Sequence, residues 1–401
     1  MNDVVFYEQP SKYIVESTEY DDKYTTPVLT PGKSFILGYT KETKGVFTNI
    51  PTIIFDDFTT ESKYVDFVFK VKSSAMKILN CSNLINIKFI YYLLQVINID
   101  TTTHKRHWLS NYEYMIIPIP CKKIQDKIVN RIESLFDRVN EIDNHYNRID
   151  RLKSVLKSKI IDLAIKGELT KQLSTDEPSS KLIENIIEEK HKLMAEGKIK
   201  KENLSIIYKD SDNQFYEKFD DGKIERITDS IPFELPENWC WTRLRSIVYN
   251  HGQKIPDKTF SYIDIGTLDN INHKLNNIDN ILESGKAPSR ARKIVKYNDI
   301  LYATVRPYLH NICIIDRDFL YEPIASTGFA VLSCLTGIYN RYLFIMLLST
   351  FFDDYVKNHS QGVSYPAIND TYLYNALIPL PPKEEQKRIV SQIQQLLIII
   401  K

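Results

Sequence analysis

The chain has 401 residues, of which 43% are hydrophobic and 26% are charged, which predicts a globular protein of two or three domains and excludes a fibrous one. Its 52 basic and 51 acidic residues leave a net charge of +1, which neither indicates nor excludes a nucleic-acid partner. The five cysteines include no CxxC pair, so we expect neither a disulfide framework nor a metal site. Without a signal-peptide pattern or a long apolar run, we expect a soluble cytoplasmic protein with no membrane role.

Strand-like runs come first along the chain. SFILGYT, PTIIFDDF and VDFVFKV are rich in β-branched and aromatic residues and are bounded by turn-forming residues. In FVFKVKSS, alternation predicts that Lys70 and Lys72 lie on one face of a strand, opposite the apolar residues.

A long helix is predicted next, over residues 121–166. From Ile128 to Ile149 the apolar residues recur in alternating steps of four and three, which is the heptad spacing of a coiled coil. Proline is absent from this stretch and Gly167 offers a stop. At 1.5 Å per residue such a helix is about 67 Å long, and its apolar seam must be covered.

The second half of the chain returns to mixed structure. After a short charged helix ending near Gly197, the sequence predicts a hairpin at Asp221-Gly222. The runs SYIDIGTL, RKIVKYNDILYATV, NICIID and TGFAVLSCL are again typical of strands.

One segment occurs twice. IPIPCKKIQDKIVNRIESLF at 117–136 and IPLPPKEEQKRIVSQIQQLL at 378–397 align without a gap at an offset of 261, and NIKFIYYLL at 86–94 resembles NRYLFIMLL at 340–348. Any two amphipathic helices share periodicity, but the common Pro-x-Pro and the pairing of Gln125 with Gln386 indicate two homologous halves. We expect both glutamines to orient or cap helix starts. The predicted spacer and partner-docking residues are Ile128, Ile132, Leu135, Val139, Ile389, Ile393 and Leu396.

IPLPPKEEQKRIV resembles the motif that ends each recognition domain in DNA specificity (S) subunits of type I restriction–modification systems. LKSKIIDLAIKGELTKQLSTDEPSSKLI, EEKHKLMAEGKIKK and IPFELPENWCWTRL resemble the central conserved region of that family. ARKIVKYNDILYATVRP, IASTGFAVL and QGVSYPAI resemble its target-recognition domain. The first half has no counterpart of LPENWCWTRL, and the second copy of the long helix is cut short.

The resemblance implies an α+β fold with two homologous target-recognition domains, separated by long conserved helices that form an antiparallel coiled coil with a truncated second helix. It divides the chain into a first recognition domain (1–117), a long spacer helix (118–170), a central helix and linker (171–230), a second recognition domain (231–376) and a second helix (377–401). It implies that the partners are double-stranded DNA, two methyltransferase (M) subunits and restriction (R) motor–nuclease subunits. S-adenosylmethionine, ATP and Mg would be bound by those partners and not by this chain.

The sequence contains no Asn/Asp-Pro-Pro-Tyr motif and no glycine-rich cofactor loop, so we expect a non-catalytic subunit. KAPSRARKIVK suits phosphate contacts, or else is a solvated basic strand edge. Arg306 can reach a guanine edge or form a structural salt bridge, and QGVSYPAI is a base-reading loop or a plain turn. The candidate DNA-binding residues are Lys70, Lys72, Ser73, Ser74, Lys105, Arg106, Lys286, Arg290, Arg292, Lys293, Arg306, Gln361, Ser364 and Tyr365.

Two alternatives differ in class from a separate specificity subunit. The chain can be the DNA-reading segment of a fused restriction–methyltransferase polypeptide, which the missing catalytic motifs disfavour. It can also be a coiled-coil adaptor without a DNA role. Affinity for DNA measured against salt separates the adaptor, because neutralising phosphates makes binding steeply salt-dependent.

Overall fold

The computed structural model describes residues 1–30, 32, 34–99, 106–276 and 280–400. The chain forms two compact units, unit 1 (Met1–Asn147) and unit 2 (Arg148–Lys401). Each combines helices with strands, so the predicted mixed α+β class is confirmed. The five predicted domain segments are finer than this division, and their boundaries stay predictions. In the described ranges, none of the helices has the length and apolarity that a membrane span requires.

The described residues of unit 1 form two sheets. Its described strands are β1 (Val5–Glu8), β2 (Thr26–Leu29), β3 (Ile36–Thr40), β4 (Thr52–Asp56), β5 (Ser62–Val65), β6 (Lys70–Val71) and β7 (Met76–Cys81). One sheet has the strand order β1-β7-β4-β5, and the other has the order β3-β2-β6 with β2 parallel to β6. Strand β4 is buried on both faces, since Ile53 and Phe55 lie in one apolar cluster and Ile54 lies in another.

Unit 2 carries the remaining described strands. They are β8 (Ser205–Lys209), β9 (Phe215–Phe219), β10 (Ile224–Arg226), β11 (Cys240–Arg243), β12 (Val248–Tyr249), β13 (Phe260–Ile263), β14 (Leu268–Asp269), β15 (Lys274–Leu275), β16 (Ile281–Leu282), β17 (Ala291–Ile294), β18 (Ile300–Ala303), β19 (Ile312–Ile314), β20 (Pro323–Ser326), β21 (Phe329–Cys334) and β22 (Leu377–Leu380). Two larger sheets have the orders β12-β21-β18-β19 and β16-β13-β20-β17. Strands β9 and β10 form the hairpin predicted at Asp221-Gly222.

The two units repeat the same strand order. The β1-β7-β4-β5 sheet of unit 1 corresponds to β12-β21-β18-β19 of unit 2, and β3-β2-β6 corresponds to β16-β13-β20. The pair β2–β6 of unit 1 and its counterpart β13–β20 of unit 2 are both parallel. The register agrees too, because Val5 lies opposite Cys81 as Val248 lies opposite Cys334. The internal repeat predicted from the two Pro-x-Pro segments is therefore visible in the sheets.

The described α-helices are α1 (Ile87–Val96), α2 (Lys122–Ile165), α3 (Ser179–Ala195), α4 (Leu244–Ile247), α5 (Asn340–Met346), α6 (Thr350–His359), α7 (Asp370–Tyr374) and α8 (Lys383–Ile400). Helix α2 is continuous over 44 residues, which confirms the predicted long helix. Helix α3 confirms the predicted short charged helix, and it ends two residues before Gly197.

Helix α2 is buried mainly towards its two ends. Ile160 and Ala164 share an apolar cluster with Ile389 and Ile393 of α8. Between the two ends of α2, the seam side chains from Leu135 to Leu156 are exposed. Helix α8 thus covers the last turns of α2, and a complete coiled coil stays a prediction.

Helix α8 also carries a buried carboxylate that ties several segments of unit 2 together. The Glu385 carboxylate accepts hydrogen bonds from Thr170 Oγ1 at 2.9 Å, Gln172 Nε2 at 2.7 Å and Trp239 Nε1 at 3.0 Å. A fully buried carboxylate is tolerated when its oxygens are satisfied in this way. The chain segments before β11 and after α2 are thereby fixed to α8.

Candidate nucleic-acid interface

A tight loop in unit 2 projects the residues of QGVSYPAI. Gln361 N donates to Ala367 O, and Ala367 N donates to Gln361 O, each at 2.9 Å, which closes the loop. Gly362 has a φ of +98°, and a Cβ there would lie 3.0 Å from Tyr365 O, so glycine is required. Gln361, Val363, Ser364 and Tyr365 are all exposed. The side chains of this loop are open to a ligand, and the choice between a base-reading loop and a plain turn stays a prediction.

Arg306 lies against this loop. Its backbone is left-handed with a φ of +48°, and its amide donates to Pro366 O at 2.7 Å. The guanidinium carbon lies 4.1 Å from the centroid of the Tyr365 ring, a cation–π arrangement. Among the described residues, Arg306 forms no salt bridge, and its Nε is buried without a hydrogen-bond partner. The structural salt bridge considered from the sequence is therefore absent from the described residues.

The turn after Arg306 adds a residue that the sequence analysis missed. Pro307 is buried, whereas the Tyr308 ring is exposed. His310 closes the turn, and its Nε2 lies 3.0 Å from Asp353 Oδ1. The hydrogen bond to Asp353 holds the pKa of His310 above its ordinary value. The signal for Tyr308 was an aromatic residue next to an Arg-Pro pair, and an exposed aromatic ring beside an arginine suits stacking on a base.

The basic run in KAPSRARKIVK is less free than its sequence indicates. Arg290 Nη2 lies 2.6 Å from an Asp264 oxygen, and its Nε donates to Tyr262 Oη at 3.1 Å. Lys293 is largely buried and lies 3.6 Å from Asp370. The run itself contains no acidic residue, and its sequence could not predict these pairs because Asp264 and Asp370 come from distant segments. Arg290 and Lys293 are thus neutralised within unit 2.

Two other members of the run, Lys286 and Arg292, differ in exposure. Lys286 is exposed and pairs with Glu283 at 3.2 Å, the residue that precedes the run. Arg292 is half-buried, and its Nη1 donates to Ala291 O at 3.1 Å. Surface pairs of the Lys286 type contribute little and exchange readily for another anion. A phosphate contact remains open to Lys286 and Arg292.

In unit 1, the prediction for Lys70 is wrong. Lys70 is only 3% exposed. Its Nζ lies 2.7 Å from Glu42 Oε2 and donates to Lys44 O at 2.8 Å. Alternation fails here because β6 is buried on both sides: Phe69, Lys70 and Val71 are all buried. Burial raises the pKa of Glu42, but the bonds from Lys70 and from backbone amides outweigh it and lower that pKa. Lys70 is therefore a core ion-pair residue.

The remaining candidates in unit 1 are on the surface. Lys72, Ser73 and Ser74 are exposed in the turn between β6 and β7. Arg106 is exposed as well, directly before the buried His107. Lys105 lies outside the described residues. These four exposed residues are not brought into one cluster by any contact among the described atoms, so their grouping into a DNA surface stays a prediction.

A family model described as "Type I restriction modification DNA specificity domain" matches residues 236–401. This range contains the whole of the Arg306–Tyr365 surface. Residues 236–401 are thus similar to this specificity domain.

Members of the specificity-subunit family align with large parts of the chain. The specificity subunit of the Escherichia coli type I restriction enzyme EcoR124I/EcoR124II is 40% identical over 205 residues, which cover 46% of this chain and 50% of that protein. The E. coli EcoAI specificity subunit is 29% identical over 279 residues, which cover 66% of this chain and 44% of that protein. The chain thus spans about half the length of these curated relatives.

A solved structure of the specificity-subunit family also aligns with part of the chain. The crystal structure of the HsdS subunit from Thermoanaerobacter tengcongensis is 37% identical, covers 41% of this chain and 43% of its own, and has a TM-score of 0.38. Both E. coli relatives are specificity subunits, and they give no support to the fused-polypeptide alternative.

The predicted spacer and docking residues differ in burial. Ile389 and Ile393 are buried in unit 2, so they serve packing and are closed to a partner. Ile128, Leu135 and Val139 are exposed on α2. Ile132 and Leu396 are half-buried.

Proposed function

We propose that this chain is a non-catalytic DNA specificity subunit that reads a split DNA sequence for a type I restriction–modification enzyme. The observation that carries the proposal is the match of residues 236–401 to a specificity domain, together with a half-buried arginine in that range that stacks on an exposed tyrosine. Such a surface offers guanidinium donors to a base edge and aromatic rings to an unstacked or flanking base. The alternative of an adaptor without DNA contacts gives this surface no role.

A bipartite target follows from the repetition of the strand order. Two units with the same sheet order and register are suited to reading two half-sites, as dimeric DNA-binding proteins do with identical subunits. Helix α2, with 44 residues, is about 66 Å long if straight. In this proposal the helix acts as a ruler, and its length and helical phase set the unread gap between the half-sites.

The partners and cofactors are part of the proposal. The exposed apolar side chains Leu135, Val139 and Ile142 of α2 are suited to docking methyltransferase subunits, because an apolar stripe on a long helix requires a cover. Two methyltransferase subunits and the restriction motor–nuclease subunits would supply the chemistry in the cytoplasm. S-adenosylmethionine, ATP and Mg would belong to those subunits.

Methylome sequencing tests the proposal. The chain is expressed with its methyltransferase in a host that has no other adenine methylation, and the methyltransferase expressed alone is the control. We expect one methylated motif made of two short half-sites at a fixed gap, present only when both proteins are expressed. Two independent motifs would contradict the ruler. No added methylation, together with DNA affinity that does not change with salt, would contradict the DNA-reading function.

A further inference from the structure

The residue that follows strand β4 in unit 1 corresponds to the residue that follows β18 in unit 2. The last residue of β4 lies opposite the first residue of β7, just as the last residue of β18 lies opposite the first residue of β21. The next residues along the chain, Asp57 in unit 1 and Thr304 in unit 2, therefore occupy the same place in the fold. Because Arg306 follows Thr304 by two residues, the surroundings of Asp57 show what unit 1 carries at the place of the Arg306–Tyr365 surface.

In unit 2, Thr304 joins the two segments that carry this surface to the sheet. Its backbone N–H donates to Gly328 O in the turn between β20 and β21, and its carbonyl accepts from Ile368 N, each at 2.9 Å. Ile368 ends the QGVSYPAI loop, and Arg306 lies in the turn that follows Thr304. Both sides of the surface therefore leave the sheet at this one residue.

In unit 1, Asp57 joins the corresponding segments. Its backbone N–H donates to Ala75 O at 3.3 Å in the turn between β6 and β7, and its carbonyl accepts from His107 N at 2.8 Å. His107 and Ile368 are related by the offset of 261 that relates the repeated motifs, so the same part of each half reaches the sheet here. The backbone plan that supports the Arg306–Tyr365 surface is thus present in unit 1 as well.

The Asp57 side chain adds a connection of its own. The carboxylate is buried, its Oδ1 accepts from Trp108 N at 2.8 Å, and its Oδ2 lies 3.4 Å from Lys77 Nζ. A buried carboxylate that accepts an amide N–H and faces a cation is held in one place. Asp57 therefore fixes the point at which the segment that contains Arg106 leaves the sheet.

Exposed polar side chains lie on the segments that Asp57 joins. We call them the Asp57 surface, and they are Thr59, Lys72, Ser73, Ser74 and Arg106. Within the described part of the chain, Lys72 and Arg106 form no salt bridge, so neither charge is neutralised inside unit 1. Two cations and three hydroxyl groups suit contacts with phosphates and with base edges.

The Asp57 surface differs from its counterpart in unit 2 in shape and in chemistry. Thr59 stands where Arg306 stands in unit 2, two residues after the joining residue. The β4–β5 turn covers residues 57–61, whereas the β18–β19 turn covers the longer stretch of residues 304–311. Arg106 lies instead on the segment that corresponds to the end of the QGVSYPAI loop. The guanidinium of unit 1 is therefore supplied by the loop segment and not by the turn.

We propose that unit 1 reads its half-site with the Asp57 surface, where Arg106 contacts a base edge and Asp57 is the residue that positions it. An exposed guanidinium can bind a guanine edge through two parallel hydrogen bonds, whereas Lys72 is suited to a phosphate. Because Thr59 replaces the arginine of the turn, the two units present different groups and read different half-sites. This inference rests on the proposed DNA-reading function, and it names the residues that serve the half-site of unit 1.

Three duplexes test the proposal with the chain in complex with its methyltransferase: one has both half-sites of the methylated motif, and the others have one half-site scrambled. For the wild type, scrambling either half-site should weaken binding about a hundredfold or more, since each mismatched base pair contributes. For Arg106→Gln, the effect of scrambling one half-site should fall about tenfold, while the effect of scrambling the other is unchanged. Arg306→Lys should show the same change at the opposite half-site.

Lys122→Gln is the matched control for Arg106→Gln. Lys122 is exposed and donates to Asn83 O, beyond the other end of β7, so its loss should leave both scrambling effects unchanged. A uniform loss of affinity for Arg106→Gln on all three duplexes would reduce Arg106 to a phosphate contact and overturn the proposal. No change, or a change at the half-site that Arg306→Lys affects, would overturn it as well. A wild-type complex that binds all three duplexes equally would instead overturn the DNA-reading function itself.

Two further variants test the positioning role of Asp57. Asp57→Asn and Asp57→Leu both remove the charge that faces Lys77, but only asparagine keeps an oxygen for Trp108 N. With both variants verified as folded by circular dichroism, Asp57→Leu should lose about tenfold more discrimination at the Arg106 half-site than Asp57→Asn. Neither variant should change discrimination at the half-site of unit 2. Equal discrimination by the two variants would overturn the assignment of Asp57, and the Arg106 comparison does not depend on either of them.

Discussion

Gln125 and Gln386 make the same backbone hydrogen bonds in the two units, although 261 residues separate them. Gln125 Oε1 accepts from Asn86 N at 2.8 Å, and Gln386 Oε1 accepts from Tyr339 N at 2.7 Å. Asn86 and Tyr339 are the N-cap residues of α1 and α5. Each glutamine therefore fixes the start of a neighbouring helix, which confirms the role predicted for both.

The side-chain amide nitrogens repeat the pattern. Gln125 Nε2 donates to Pro120 O at 2.8 Å, and Gln386 Nε2 donates to Pro381 O at 3.1 Å. Each glutamine thus joins its own helix entrance, introduced by Pro-x-Pro, to the cap of the helix packed beside it. A side chain that satisfies two otherwise unpaired backbone groups explains why glutamine stands at both positions.

Replacing Gln386 with leucine should lower the free energy of unfolding of unit 2 by about 2–3 kcal/mol, because buried backbone groups lose their partners. Gln394→Leu on the exposed face of the same helix is the matched control and should change it by less than about 0.5 kcal/mol. Urea titration of both variants gives the comparison. Equal stability of the two variants would show that the Gln386 bonds contribute nothing.

The glutamine pairs show what the sequence could and could not predict. The offset of 261 could be found in the sequence because the stretch from Pro-x-Pro into the helix has the same length in both halves. The cap partners Asn86 and Tyr339 differ by 253 positions, since 39 positions separate the cap from the glutamine in unit 1 and 47 do so in unit 2. The sequence match of NIKFIYYLL with NRYLFIMLL pairs Asn86 with Asn340 and so misses the structural correspondence by one residue.

The sequence could not predict the environment of a side chain where distant segments of the chain form it. Lys70 is neutralised by Glu42, which lies on another part of unit 1, so alternation along β6 gave no hint of its burial. Arg306 and Tyr365 are 59 positions apart and meet because a backbone bond joins Arg306 N to Pro366 O. Local patterns predicted the strands and helices, whereas the accessibility of each candidate depended on which segments packed together.

Lys70→Met should destabilise unit 1 by about 3 kcal/mol, because the partly buried Glu42 carboxylate would lose its cation. Once folding is verified, the variant should bind DNA with an unchanged salt dependence. Lys72→Met is the matched variant on the exposed turn: we expect normal stability and, if Lys72 contacts a phosphate, a salt slope reduced by about one. A reduced slope for Lys70→Met would contradict the assignment of Lys70 to the core.

Arg306→Lys should weaken binding to the specific DNA site about tenfold or more, while binding to unrelated DNA stays unchanged. Lysine keeps the positive charge but loses the planar fork that can bind a guanine edge and stack on Tyr365. Competition binding with specific and unrelated duplexes measures both effects. Tyr321→Ala removes another exposed aromatic of unit 2 and is the control. Equal losses on both duplexes would reduce Arg306 to a phosphate contact.

The ion pair between Asp176 and Arg388 should make unit 2 more stable at neutral pH than at a pH below about 4. The hydrogen bond from Arg388, whose Nη1 lies 3.0 Å from Asp176 Oδ1, lowers the pKa of this carboxyl. A carboxyl with a lowered folded pKa adds stability above its unfolded pKa of about 3.9, and this stability is lost as pH falls through the folded value.

Arg388→Met should therefore lower the free energy of unfolding by about 1–2 kcal/mol at pH 7, and by progressively less as the pH falls below about 4. Lys387→Met is the matched control, since Lys387 is exposed and pairs only with the neighbouring exposed Glu384 among the described residues. Urea unfolding of the three proteins from pH 3 to pH 7 measures the difference. A cost for Arg388→Met that does not change with pH would place the contribution in packing and not in the ion pair.

Seven residues inserted into the exposed middle of α2, by duplicating residues 139–145, should lengthen the gap between the two half-sites. Seven residues add about 10 Å, which is about 3 base pairs of duplex, and a heptad returns the helix to nearly the same face with a residual rotation of about 20°. The half-sites themselves should not change, because the sheets of both units are untouched. Selection from a library of duplexes with both half-sites and variable gaps measures the preferred gap. The same seven residues inserted after Asp212, in the exposed turn between β8 and β9, form the control and should leave the gap unchanged. If the duplication in α2 also leaves the gap unchanged, the helix does not act as the ruler.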